Sequence, residues 1–69
     1  MKITMNCRIM IMREDGVYFC GPHSLVSEQS DSQLFTDLEE VLKRIRDVIL
    51  LATVSVTQIR IIDENWRLS

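Results

Sequence analysis

Thr36-Asp37-Leu38-Glu39-Glu40-Val41-Leu42-Lys43-Arg44-Ile45-Arg46-Asp47-Val48-Ile49-Leu50-Leu51-Ala52 is the stretch that decides the fold of this chain. Leu38, Val41, Leu42, Ile45, Val48, Ile49 and Ala52 recur at three- and four-residue steps, the spacing of one helical face. Thr36 followed three residues later by Glu39 reads as a capping box that opens the helix. Glu39 with Lys43 and Glu40 with Arg44 are acid-before-base pairs four apart, each adding roughly 0.2–0.5 kcal/mol. A helix with so wide an apolar side is marginal by itself, so the remainder of the chain must supply a surface for it to cover.

Upstream of the helix, Ile3, Met5, Cys7, Ile9 and Ile11 alternate with Lys2, Thr4, Asn6 and Arg8, the period of a half-buried strand. Beyond Arg8 the polar side turns apolar at Met10 and Met12. Asp15-Gly16 is a favoured centre for a two-residue hairpin, and Val17 to Gly21 returns as a second strand. With Asp15 and Gly16 as the loop, Phe19 is expected opposite Met12 and Cys20 opposite Ile11. Cys20 then joins Ile9 and Ile11 beneath the helix, while Phe19 joins Met10 and Met12 on the other side. Pro22 ends the pairing. Leu25-Val26-Ser27 reads as a short third strand, and Glu28 to Gln33 as a mobile polar loop.

Downstream, Thr53 to Asp63 is rich in β-branched residues, but Val54 and Val56 share one parity and Ile59 and Ile61 the other. That slip predicts a bulge near Thr57 and Gln58 or a strand buried on both faces. Trp66 argues that the tail packs against something. The expected architecture is a single α+β domain over residues 1–69, a small antiparallel sheet of three or four strands in ββ(β)αβ order with one helix on one face.

Sixty-nine residues give a thin core, for a domain of this size buries only about 60% of the surface its unfolded chain exposes. Self-association or a partner would reinforce it. A net charge of −2, with Lys and Arg scattered, offers no positive field for a polyanion, which disfavours nucleic acid as the primary ligand. No stretch reaches the ~18 apolar residues of a membrane span, and Asn6 and Arg8 interrupt any secretory core. The expected location is the cytoplasm, with both cysteines reduced.

Three groups of residues are weighed as sites. Cys20 and His23 have a metal-ligand gap and Cys7 is a possible third group, so a small metal- or thiol-dependent protein is the alternative reading. Against it, the expected ladder sets Cys7 and Cys20 four positions out of register, on the order of 13 Å, which also argues against a disulfide between them. Acids in the first helical turn are accounted for by capping and the helix dipole. The third group is the sheet side without a helix, where Met10, Met12 and Phe19 form an apolar cluster that suits either a homodimer contact or a protein partner. Trp66 is expected at its margin, and Glu28 and Gln29 in the loop are expected to add polar contacts.

The segment from Ile11 to Ile49 resembles the HicB-like antitoxin fold: a first strand into the turn at Asp15-Gly16, aromatic residues at Tyr18-Phe19, Pro22, and the Thr36 to Glu40 helix opening. The resemblance implies a degenerate relative of the ribonuclease H fold that dimerises and neutralises a small toxin nuclease by covering it. In plan the chain is also similar to small phage-encoded inhibitors of host enzymes, including anti-restriction and anti-CRISPR proteins. The expectation is therefore a non-enzymatic regulator or inhibitor without cofactor, a homodimer that occludes a partner protein such as a toxin or host enzyme.

Overall fold

The computed structural model describes residues 5–64. Four strands, β1 (Cys7–Arg13), β2 (Gly16–Cys20), β3 (Leu25–Val26) and β4 (Val56–Asp63), form one antiparallel sheet in the order β3-β2-β1-β4. The helix α1 (Leu38–Leu51) lies on one face, and a 3-10 turn (Gln29–Asp31) precedes it. The fold is α+β, a small antiparallel sheet with one helix. Two sequence expectations, the strand expected to begin at Lys2 and the packing of Trp66, concern residues 1–4 and 65–69, outside the described residues.

The hairpin differs from the expected register by two positions. Met10 faces Phe19, Met12 faces Val17 and Arg13 faces Gly16, so the loop is Glu14-Asp15. Gly16 supplies the positive φ, +146°, as the first residue of β2 rather than inside the turn. Arg13 grips the loop through both nitrogens, Nε to Asp15 Oδ1 at 3.0 Å and Nη2 to Oδ2 at 2.8 Å, and lies 4.9 Å over the Tyr18 ring. A shift of two leaves the pleat unchanged, so the sorting of residues between the faces survives.

Opposite β1, Met12 pairs with Gln58 and Arg13 with Val56, leaving Thr57 as the extra residue of a bulge, as the parity slip predicts. Its hydroxyl donates to the Met12 carbonyl at 3.1 Å. The bulge lets Val56 and Ile59 both turn toward the helix side.

The core is small. Cys7, Ile9 and Ile11 of β1, Cys20 of β2, Phe35 and Val41 are fully buried, with Met5, Leu25, Ile45, Val48, Val56 and Ile59 packed around them. Phe35 is held by a two-way backbone pairing with Cys7, at 2.9 and 2.7 Å. Val41 is the single buried residue of the helix. The cap also differs from expectation: Asp37, not Thr36, is the N-cap, and its Oδ1 accepts from the Glu39 amide at 3.0 Å. Arg44 does not turn back to Glu40. It reaches over the Phe35 ring to the Gly21 carbonyl (2.7 Å) and Gln33 Oε1 (3.2 Å), closing one flank of the helix against the loop.

Candidate functional site

The sheet face opposite the helix carries the apolar cluster. Strand alternation puts Met10 and Met12 of β1 on it, and the register sets Phe19 beside Met10 and Val17 beside Met12. Phe19 also pairs with Val26 of β3, and on the far side Met10 faces Arg60 and Met12 faces Gln58 of β4. Met10, Met12, Phe19 and Val26 are half-buried, while Val17 is exposed. Among the described residues no helix or strand layer covers this face. Val17, Val26 and Ile62 belong to the patch and are absent from the sequence-derived set. Tracing the ladder to its outer strands would have found them.

The loop residues reach this face by a route not legible from spacing. Arg8, two residues before Met10 and opposite Ile62, donates through Nη1 to the Ser32 carbonyl (2.6 Å), the Ser32 hydroxyl (3.2 Å) and the Gln29 carbonyl (3.3 Å). Its Nε makes an ion pair with Glu64 Oε1, to which Gln29 Nε2 also donates at 3.4 Å. Ser32 is buried, its hydroxyl bonded to Gln29 O, and Gln33 N bonds to Cys20 O at 2.8 Å. The segment expected to be mobile is tied to the sheet. It brings Gln29 beside Arg8 at one end of the apolar face, with Glu28 exposed at the start of the turn.

Cys7 and Cys20 are free thiols buried beneath the helix. The observed register puts Cys20 level with Ile9, two positions from Cys7 rather than four. Burial pushes both thiols above their ordinary 9.0; the Asp63 charge adds to this at Cys7, and Arg44 partly opposes it at Cys20. Both are held protonated, the weakly reactive form. His23 is exposed, whereas Cys20 is enclosed. Among the described residues no three His, Cys, Asp or Glu side chains stand together as a metal site, and no helix is long and apolar enough to cross a membrane.

Further concavities flank α1 on both sides. One lies between the helix end and the β3 side, lined by His23, Leu25, Arg44, Val48, Leu51 and Val56. Another lies between Ile49 and Ile59 on the β4 side. In the first, Arg13 and Arg44 already have Asp15, Gly21 and Gln33 as partners. No family model matches the chain, and neither a curated protein nor a solved structure does.

Proposed function

We propose that this protein is a non-enzymatic regulator that binds another protein through the helix-free face of its sheet and occludes it. The observation that carries this reading is the contiguous patch of Met10, Met12, Val17, Phe19 and Val26 on a face without a covering layer among the described residues. Contiguous apolar surface rimmed by polar groups is a common form of protein-binding site, and methionine adapts to irregular partners. Arg8, Gln29 and Glu28 form a polar rim at one end, and Arg60 and Gln58 another along β4. Pre-ordering of the loop by Arg8 lowers the entropy cost of contact there. The resemblance to HicB-like antitoxins suggests a small toxin nuclease as the partner, and the similarity to phage-encoded inhibitors suggests a host enzyme. Either would be neutralised by coverage, in the cytoplasm.

The test is co-purification from native lysate with the wild type and with the double variant Met10→Ser/Phe19→Ser, followed by titration of the captured protein's activity. One-to-one inhibition by the wild type, lost in the double variant, is the expected result. Turnover by the isolated chain, or stoichiometric zinc in the purified protein, would replace this reading with the metal- or thiol-dependent one.

A further inference from the structure

The exposed apolar residues of α1 do not belong to the face described above. Leu38, Leu42 and Ile49 are 54%, 58% and 55% exposed, and with half-buried Ile45 they form a ridge at steps of four, three and four residues. That is the spacing of a helix-pairing seam. The ridge lies on the β4 flank of the helix: Ile49 shares a cleft with Ile59, whereas Arg44 reaches to the loop on the opposite flank. Beside it, Ile61 of β4, across from Ile9, is 49% exposed on the same side of the sheet. β4 is also the terminal strand, and its outer edge has no strand neighbour among the described residues. From Val56 to Ile62 it carries only one charge, Arg60, and no proline to blunt that edge.

We infer that the ridge of α1 and the adjoining edge of β4 are the surface on which a second copy of this chain docks, across an antiparallel two-fold axis. The charges flanking the ridge select this occupant. A two-fold axis near the midpoint between Leu42 and Ile45 sets Leu38 against the copy's Ile49, Leu42 against its Ile45, and Glu39 against its Arg46, each contact made twice. Neither Glu39 nor Arg46 has an ion-pair partner among the described residues. A parallel arrangement would instead bring Glu39 to the level of Glu39 and Arg46 to that of Arg46. The antiparallel operator also brings β4 alongside β4 in the antiparallel sense, so one symmetry element serves the helix seam and the strand edge together. Met10, Met12 and Phe19 lie on the other side of the sheet and remain available, so the inference stands independently of the function proposed above.

Sedimentation velocity of the full chain over a range of concentrations tests it, together with Leu42→Gln, Glu39→Arg, Arg46→Glu and the double variant Met10→Ser/Phe19→Ser. The wild type and the sheet-face variant are expected to be dimers. Leu42→Gln and each charge reversal weaken the dimer by roughly tenfold or more. Mixing Glu39→Arg with Arg46→Glu restores association as a heterodimer, because both cross-axis pairs then join opposite charges. Amide exchange across Val56–Asp63 slows as the dimer forms. Circular dichroism confirms that each variant keeps its helix, and the mixing result is independent of any single variant's stability. A wild type that stays monomeric, whether or not the ridge takes a different protein, overturns the inference. So does a dimer that the ridge variants leave intact, or one that the Met10 and Phe19 substitutions dissociate.

Discussion

Arg8 and Ser32, 24 residues apart in sequence, are joined twice by one nitrogen: Nη1 donates to the Ser32 carbonyl at 2.6 Å and to its hydroxyl at 3.2 Å. The contact anchors the 3-10 segment to β1, an inner strand of the sheet, and it is charge-assisted and partly buried, the kind worth about 1.5–3 kcal/mol. Substituting Arg8→Met keeps the aliphatic stem and removes the donors. The expected outcome is faster amide exchange at Ser32 and Gln33, with exchange in β1 little altered, and a loss of up to about 2 kcal/mol in urea unfolding. Unchanged exchange at those two amides would show that backbone bonds alone hold the segment.

The helix start gives a second test. Asp37 caps α1 by accepting from the Glu39 amide, and Thr36 precedes the cap. Asp37→Ala should lower stability by about 1 kcal/mol and Thr36→Ala by a few tenths at most. Chemical denaturation of both variants decides which residue begins the helix.

Val41 and Leu42 are neighbours with opposite fates, the first fully buried and the second more than half exposed. Val41→Ala removes two methyl groups from a six-residue core and should cost about 2 kcal/mol, roughly 8–16 °C in melting temperature for a domain of this size. Leu42→Ala should cost well under 1 kcal/mol when measured on the monomer. Equal costs would mean that the helix covers the sheet by a different edge.

The buried thiols link stability to alkaline pH. Burial raises Cys7 and Cys20 above 9.0, with the Asp63 charge adding to the rise at Cys7, so the folded chain retains protons that the unfolded chain gives up. Their contribution is complete below the unfolded value and lost as pH rises through the folded values. Stability should therefore fall above about pH 9, and a Cys7→Ala/Cys20→Ala protein should show a shallower alkaline decline. At neutral pH a thiol reagent should modify neither cysteine in the folded chain and both after unfolding.

The elements of this fold are legible in the sequence because they rest on local signals. Three- and four-residue apolar steps mark α1, strict alternation marks β1, and the parity slip marks the bulge that falls at Thr57. The failures arise where a local rule has two solutions. Asp15-Gly16 and Glu14-Asp15 both make a two-residue hairpin loop, and the second is realised with Gly16 taking the positive φ from within the strand. Thr36 and Asp37 are both competent caps. The apolar stripe of α1 was wider than the sheet covers, since periodicity reports which residues share a side and not how far a four-stranded sheet extends beneath them.

The site is divided in the same way. Met10, Met12 and Phe19 fall on one face by parity alone, which survives the register error. The tethering of Gln29 through Arg8 could not be read, because it joins residues 21 apart through a side chain that alternation marks only as solvent-facing. Nor did the exposure of Leu38, Leu42 and Ile49 follow from pattern, because the same residues would read identically in a fully covered helix.

The strand order places β1 between β2 and β4, so the first strand among the described residues has its two neighbours supplied by the hairpin and by the last of them. While the chain is being synthesised, β1 stays an open edge until residues 56–63 emerge, and Ile9 and Ile11 lack Ile61 and Ile59 across from them. The hairpin and α1 can form early from local contacts, but closing the sheet requires a long loop to be ordered, a slow and late event. The arrival of β4 therefore removes an open edge from β1, the feature of an incomplete sheet most prone to pairing with a wrong chain.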